Sequence, residues 1–247
     1  MSTIPASTPR SSIILAIETS HVPSSIAVRD ATGQIHDAVE IKDAGTRSQH
    51  LVVMIRDLLA SRQLTTSDLE QIVVSQGPGS FTGLRIGIVT AKTLAYAVNC
   101  QLVAVPTFEL LAHQFAATLL TKELAPPSRL RVIGDAFRGQ LFVQSFQFSN
   151  GHFDPLDAVH MESPASFLSN LSPTDIVIGP GITKVKANLS PAQIVEQEAV
   201  NIPRAASLIG YSSKSPQTLK STSPFELTPL YIRASAAEEK RQEAQFP

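Results

Sequence analysis

The chain has 247 residues, of which 43% are hydrophobic and 17% are charged, and its net charge is −1. This composition is typical of a globular protein with one large or two small domains, and it excludes a general attraction for polyanions. The single cysteine, Cys100, excludes an internal disulfide and a cysteine-based metal cage.

The first half predicts strands and helices in alternation. Residues 1–12 are rich in Ser, Thr and Pro and are expected to form a disordered extension. Aliphatic and β-branched runs predict three antiparallel strands at 13–19, 25–30 and 32–41. Hydrophobic periodicity then predicts, in order, a helix at 48–64, a strand at 69–76, a helix to about 99, a strand at 101–107 and a helix at 108–120.

The second half predicts a similar order. A hairpin is expected over 129–148 with its turn at Arg138-Gly139, and a short helix is expected in "PASFLSNL". The segment 174–182, "TDIVIGPGI", echoes "IVVSQGPGS" and predicts another strand, Gly-Pro-Gly turn and helix. We therefore expect two related α/β subdomains, at 13–107 and 108–233, followed by a polar tail at 234–247.

A glycine-rich loop, "GPGSFTG", precedes the second predicted helix. Its spacing does not match a P-loop or a dinucleotide fingerprint, because Gly83 is followed by Leu84 and Arg85 and the three glycines are spaced too widely. Ser80 or Thr82 can cap the helix, and free amides at a helix start can also bind an anion. A bound nucleotide is therefore an open alternative.

The helix after this loop carries a stripe of small residues. Gly83, Gly87, Ala91 and Ala95 recur every four residues, and glycine in a helix costs about 1 kcal/mol relative to alanine. The stripe predicts close approach of another element, which we expect to be another protein chain. Packing only against the helix at 48–64 is the alternative. If the stripe binds another protein chain, Gly87→Leu should abolish that binding and leave the monomer folded.

The usual catalytic sets are missing from the sequence. The six histidines form neither a His-x-x-x-His pair nor an HExxH motif, so no metal site is expected. No Gly-x-Ser-x-Gly elbow is present, which disfavours Ser80 as a nucleophile. Glu18 and Asp135 end the first strands of the two halves, where they could hold a metal–nucleotide or cap a turn.

Several segments resemble one known family. "ILAIETS", "GPGSFTGLRIG", "VPTFELLA", "DAFRGQLF" and "PLYIRA" occur in order between Ile13 and Ala234 and are similar to the TsaB (YeaZ) family, with "GPGSFTGLRIG" the most specific. The resemblance implies an actin/Hsp70-like (ASKHA) duplicated α/β fold, in which each subdomain has a mixed sheet flanked by helices.

The resemblance also implies a function. TsaB proteins are non-catalytic, cytoplasmic partners of TsaD, the subunit that transfers threonylcarbamoyl to the tRNA adenosine beside the anticodon. TsaE, an ATPase, joins the pair, and tRNA is contacted only through the complex. Where TsaD carries a His-x-x-x-His metal motif, this chain reads "VPTFELL". The resemblance therefore implies that this chain requires no cofactor. Two possibilities stay open: ATP or ADP bound at the junction with TsaD, and a homodimer of this chain when TsaD is absent.

Candidate site residues follow from the resemblance and the stripe. The predicted partner interface comprises Leu51, Met54, Ile55, Leu58, Phe81, Thr82, Gly83, Arg85, Gly87, Thr90, Ala91 and Leu94. The candidate nucleotide or junction residues are Glu18, Gly79, Ser80, Asp135 and Gly139. The competing functions are an actin-like ATPase or phosphotransferase, with Glu18 and Asp135 holding Mg-ATP, and a metallopeptidase-like protein.

Overall fold

The computed structural model describes residues 12–36, 47–195, 197–214 and 221–232. The predicted N-terminal extension (except residue 12), the polar tail and the end of the third predicted strand lie outside these ranges. The chain divides into two compact units. Unit 1 comprises Met1–Gln76, Ser80–Val105 and Pro203–Thr228, and unit 2 comprises Gly77–Gly79, Pro106–Ile202 and Pro229–Pro247.

Unit 1 is built on a five-stranded sheet with the order β3-β2-β1-β4-β5. Its strands are β1 (Ile14–Glu18), β2 (Ser25–Arg29), β3 (Ile35–His36), β4 (Gln71–Gly77) and β5 (Gln101–Pro106), and its first helices are α1 (Arg47–Ala60) and α2 (Phe81–Val98). β1 pairs antiparallel with β2 and parallel with β4. The strands and helices predicted for this half are thus confirmed, with a shorter third strand among the described residues.

Helices α1 and α2 pack side by side on one face of this sheet. Alternate residues of β1, such as Leu15 and Ile17, lie opposite Val28 and Ile26 of β2 and share one buried cluster with both helices. This alternation is the period-two pattern of a strand that buries each face. The sides of α1 and α2 that point away from the sheet therefore form one surface.

The opposite face of the sheet is covered by a helix from late in the sequence. Helix α6 (Ala205–Lys214) contacts β1 and β2, and its Leu208 and Ile209 are buried. The backbone N–H of Ala205 donates to Ser25 Oγ at 2.9 Å. These contacts place the segment Pro203–Thr228 in unit 1. The sequence analysis had included this segment in the second subdomain, predicted at 108–233.

Unit 2 contains the second five-stranded sheet, in which β10-β6-β7-β8 are neighbours and β9 also pairs with β7. Its strands are β6 (Arg129–Asp135), β7 (Leu141–Ser149), β8 (His152–Pro155), β9 (His160–Glu162) and β10 (Asp175–Ile178), and its helices are α3 (Thr107–Thr121), α4 (Pro164–Ser169) and α5 (Glu198–Asn201). α3 and α5 lie against one buried cluster, and α4 against a second cluster that also includes Ile133 and Val177.

The two sheets share one connection pattern. In each, the first two strands form an antiparallel hairpin, and a later strand pairs parallel with the first, as β4 does with β1 and β10 with β6. The predicted duplicated actin/Hsp70-like α/β fold is thereby confirmed.

The prediction of a helix after the second Gly-Pro-Gly turn is wrong. Among the described residues, β10 is followed by short 3-10 turns at Pro180–Lys184, Lys186–Asn188 and Pro191–Gln193. Gly179 has a φ of 107°, and a Cβ at Gly181 would lie 2.9 Å from the backbone of Gly134. The second turn is therefore pressed onto the backbone of β6.

Two arginines on β6 have different partners. Arg129 forms a two-pronged pair with the buried Asp175, at 3.0 Å from Nε to Oδ1 and 2.6 Å from Nη2 to Oδ2. Arg131 is buried beside the Phe167 ring and reaches only Glu162, at 3.4 Å, and its Nε has no hydrogen-bond partner among the described residues. Burial lowers the pKa of Arg131. Of the two ion pairs, only the bidentate Arg129–Asp175 pair offsets the free-energy cost of removing its charges from water.

We predict that methionine at these two positions has unequal effects on stability. Arg129→Met leaves the Asp175 carboxylate buried without its cation and should lower the free energy of unfolding by about 2–4 kcal/mol. Arg131→Met replaces a poorly bonded guanidinium by an apolar chain and should change it by less than about 1 kcal/mol. Chemical denaturation of both variants measures this, and equal losses would contradict the assignment.

The turn between β2 and β3 is organised by one carboxylate. Asp30 accepts hydrogen bonds from the hydroxyl of Thr32 at 2.5 Å and from the backbone N–H of Thr32 and Gln34, and its Oδ2 lies 2.5 Å from His36 Nε2. The Thr32 side chain, followed by His36, holds the pKa of Asp30 well below its ordinary value of 3.8.

We predict that this turn loses its contribution to stability in acid. Because the pKa is lower in the folded state, the contribution is complete above the unfolded value of 3.8 and is lost as the pH falls below it. Asp30→Asn should therefore flatten the decline in denaturation midpoint as the pH falls from about 4 to about 2. The same decline in the variant and the parent chain would contradict this.

Candidate functional site

The turn that follows β1 contains a buried polar cluster. Glu18 is fully buried, and its Oε1 accepts from the backbone N–H of Ser20 at 2.7 Å and from its hydroxyl at 2.5 Å. His21 Nδ1 lies 2.9 Å from the same hydroxyl. The Glu18 carboxylate thus caps its own turn, one of the two roles the sequence left open.

This turn is tied to the start of α2. Ser20 O accepts from the backbone N–H of Ser80 at 2.7 Å, and the buried Thr19 hydroxyl donates to Gly83 O at 2.8 Å. A Cβ built at Gly87 would lie 2.1 Å from Thr19 Oγ1. The absence of a side chain at Gly87 therefore makes room for the Thr19 side chain of the same unit.

The remainder of the small-residue stripe is also internal. Ala91 and Ala95 are buried in the core beneath α1 and α2. The prediction that the stripe docks another chain is therefore corrected, because unit 1 already fills it. The expected outcome for Gly87→Leu is corrected as well, since a bulky side chain there would collide with Thr19 and disturb the fold.

The glycine loop ends in a helix cap. Ser80 is the N-cap of α2, and its Oγ accepts from the backbone N–H of Gly83 at 3.2 Å. This is one of the two capping residues that the sequence predicted, and it satisfies an otherwise free amide. The C-cap residue Asn99 adopts the left-handed conformation that ends many helices.

The corresponding turn of unit 2 has a different character. Asp135 accepts from the backbone N–H of Phe137 at 2.8 Å and lies 3.1 Å from Lys184 Nζ. Phe137, Arg138 and Gly139 all have positive φ, at 60°, 49° and 76°. The hairpin turn predicted at positions 138 and 139 is confirmed.

The candidate nucleotide residues are thus distributed over both units. Glu18 and Ser80 lie in unit 1, and Gly79, Asp135 and Gly139 lie in unit 2. Their assignment to a nucleotide stays a prediction, although Glu18 is fully buried as placed here. Among the residues that the structure describes, no three His, Cys, Asp or Glu side chains cluster as metal ligands would.

Half of the predicted interface residues are inside unit 1. Leu51, Ile55 and Leu58 of α1 are buried in its core, as are the stripe residues Gly83, Gly87 and Ala91 of α2. The prediction that these six residues form the partner interface is therefore corrected, because they belong to the core of unit 1. The other six divide into half-buried and exposed side chains. Met54, Phe81, Thr90 and Leu94 are half-buried, and Thr82 and Arg85 are exposed.

A different set of apolar side chains points outward. We call this surface the outer helix face. It comprises Val52 and Val53 of α1, Val89 and Tyr96 of α2, and Phe225, all of them exposed. On α2, the exposed residues Thr82, Arg85, Val89, Thr93 and Tyr96 follow each other at the three- and four-residue spacing of one helix side. Large apolar groups grouped in this way are typical of a protein interface.

Phe225 extends this face beyond the helices. Its ring meets that of Tyr96 edge-on at 5.4 Å, although the two side chains are 77% and 66% exposed. The segment that carries Phe225 is anchored, because Thr222 N–H donates to Leu102 O, Leu227 is buried in the core and Lys92 Nζ donates to Leu227 O. The sequence offered no local signal for this placement, since residue 225 lies far from α2 along the chain.

Comparison with known proteins identifies the family. Residues 44–220 match the family model described as "TsaD: tRNA N6-adenosine threonylcarbamoyltransferase", and the chain belongs to this family. It is similar to the tRNA threonylcarbamoyladenosine biosynthesis protein TsaB of Bacillus subtilis, with 34% identity over 139 residues that cover 56% of this chain and 56% of that protein. This match spans little more than half of that relative.

Two further comparisons agree. The TsaB protein of Buchnera aphidicola subsp. Schizaphis graminum is 24% identical over 204 residues, covering 81% of this chain and 93% of that protein. The crystal structure of an uncharacterized Pseudomonas aeruginosa protein with similarity to peptidase YEAZ covers 90% of this chain and 100% of its own, with a TM-score of 0.74 and 22% identity. The resemblance to TsaB is confirmed. Within the described ranges, no helix is long and apolar enough to cross a bilayer.

We predict that the contact between Thr19 and the glycines is a packing constraint. Gly87→Ala should lower the free energy of unfolding by about 1–3 kcal/mol, although alanine is the better helix former, because its Cβ collides with Thr19 Oγ1. Thr19→Ala should lose about 1 kcal/mol through the bond to Gly83. The double variant should lose less than the sum of the two. Additive losses measured by denaturation would contradict the collision.

Proposed function

We propose that this chain is a non-catalytic accessory subunit that pairs with TsaD, through its outer helix face, in forming threonylcarbamoyladenosine in tRNA. The observation that carries the proposal is the exposed apolar surface of Val52, Val53, Val89, Tyr96 and Phe225 in a TsaB-like chain. Burying apolar surface contributes about 25 cal/mol per Å², which offsets the entropy lost on association. On this proposal the protein acts in the cytoplasm, where tRNA is modified.

Three placements support a non-catalytic role. Glu18 is enclosed by its own turn, and Asp135 lies beside Lys184. At the start of α3, where the resemblance puts the histidines of TsaD, Phe108 and Leu111 are fully buried in the unit 2 core. The side chains at these places thus stabilise the fold. A nucleotide, TsaE and tRNA would on this proposal be bound by the assembled complex.

Charge placed on the outer helix face should break the complex. Val89 is 60% exposed, so Val89→Asp should leave the monomer folded and weaken binding to TsaD at least about tenfold, because the carboxylate would be buried without a partner. The matched control is Leu120→Asp on α3 of unit 2, where the leucine is 55% exposed. Calorimetry with purified TsaD measures the affinity.

The same two variants test the function. With TsaD, TsaE and an activated threonylcarbamoyl donor present, reconstituted tRNA modification should fall with Val89→Asp and stay at the level of the parent chain with Leu120→Asp. Equal binding and equal modification by both variants would contradict docking through this face. Full modification in the absence of this chain would contradict the accessory role itself.

A further inference from the structure

A cleft of about 610 Å³ lies in unit 1, at the edge of the sheet where β1, β4 and β5 begin. The first residues of these strands, Ile14, Gln71 and Gln101, line it together with Arg29, the last residue of β2. The turn after β1 and the start of α2 follow the other ends of β1 and β4, so the cleft is separate from the candidate nucleotide residues of unit 1. Volumes of about 300–1,000 Å³ are typical of sites that bind small molecules.

Arg29 is held in this cleft by neutral acceptors. Its Nε donates to Ser12 O at 3.2 Å, and its Nη1 donates to Ser213 Oγ at 2.8 Å. The Ser213 hydroxyl in turn donates to Ile209 O at 2.9 Å, which fixes the direction of the bond from Arg29. Within the described ranges, Arg29 forms no ion pair and its Nη2 donates no hydrogen bond. The guanidinium is thus ordered and has N–H groups left for an anion, for which a carboxylate is a well-matched acceptor.

The opposite charge in the cleft belongs to Glu70. Its Oε1 accepts from the backbone N–H of Ile13 at 3.3 Å, and among the residues with a described placement its Oε2 has no donor. Glu70 and Arg29 both line the cleft and do not form an ion pair with each other. Two helices also end there, α2 at its C-cap Asn99 and α6 near Ser213, and helix carboxyl ends favour positive charge. This part of the cleft therefore favours an ammonium group.

The charges of the cleft favour a ligand that carries both signs. Of the residues that line it, only Arg29 and Glu70 have an ionised side chain, since burial raises the pKa of the Cys100 thiol. A phosphate or a dicarboxylate attracted by Arg29 would be repelled by Glu70, and a simple cation would meet the reverse. Gln71 and Gln101, whose side chains bond to each other at 3.3 Å, add amide donors and acceptors to the wall.

We propose that this cleft binds a small zwitterion of the amino-acid or short-peptide class, with the ligand carboxylate on Arg29 and the ligand ammonium on Glu70. None of the residues that define the outer helix face lines the cleft, so this site is additional to the proposed function and does not depend on it.

NMR of the full chain labelled with ¹⁵N tests the site, with the dipeptide alanylalanine as the probe. The dipeptide should shift the amide signals of Gln71 and Gln101 saturably at concentrations up to about 20 mM, and leave those of Val143 in unit 2 in place. N-acetyl-alanylalanine lacks the ammonium and alanylalanine amide lacks the carboxylate. Each should bind at least about fivefold more weakly, because it leaves one charge of the cleft without its partner.

Two variants assign the two ends of the ligand. Glu70→Gln keeps the size of the side chain and an acceptor for Ile13, and it should weaken alanylalanine about fivefold or more without weakening the N-acetyl peptide. Arg29→Gln should weaken alanylalanine by a similar factor without weakening the peptide amide. Glu123→Gln, at an exposed carboxylate of unit 2, is the matched control and should alter none of these affinities.

Three results would overturn the proposal. The first is the absence of a saturable shift with alanylalanine in the parent chain. The second is equal affinity for the dipeptide and both of its blocked forms. The third is a loss with Glu70→Gln that is the same for the dipeptide and the N-acetyl peptide, because Glu70 would then have only a structural role.

Discussion

The fold of unit 1 depends on the close approach of the turn after β1 to the first two turns of α2. Thr19 reaches the backbone of α2 because Gly87 carries no side chain, and its hydroxyl donates to Gly83 O at 2.8 Å. This contact sets the rotation of α2 about its own axis. Since a helix residue points to one side only, the side with the glycines faces inward and the side with Val89 and Tyr96 must face outward. The surface available to a partner is thus a consequence of an internal contact.

The turn after β1 also bears on the candidate nucleotide residues. In unit 1, Glu18 and Ser20 bond to each other, and Ser20 also bonds to the backbone of Ser80. Polar groups buried in this way need such partners, because an unpaired one costs about 1–3 kcal/mol. Glu18 and Ser80, which the sequence analysis proposed as nucleotide residues, therefore take part in the hydrogen bonds of this turn. This accounts for a chain that keeps the duplicated fold of its family and, on our proposal, leaves the chemistry to TsaD.

The sequence predicted most strands and helices correctly, but it did not predict which side of α2 is exposed. Alternation in β1 and β2 and the Gly-Pro-Gly loop located the first hairpin and α2, because those signals are local. The spacing of Gly83, Gly87, Ala91 and Ala95 correctly indicated a close approach, and it could not reveal that Thr19 makes it, since that contact joins residues far apart in the chain. α2 is apolar on most sides, so periodicity could not distinguish its inner from its outer side. The position of Phe225 on the outer helix face could not be predicted either, because Phe225 is far from α2 along the chain.

The measurement that tests the central claim most directly is fluorine NMR of a single label on the outer helix face. The chain contains no tryptophan, so Tyr96→Trp grown with fluorotryptophan gives one resonance, which unlabelled TsaD cannot obscure. Tyr96 is exposed, and the free protein should therefore show a shift difference between H₂O and D₂O. The account predicts that saturating TsaD moves the resonance and removes this difference. A resonance that keeps its position and its solvent sensitivity, in a complex shown by sedimentation to be fully formed, would contradict it.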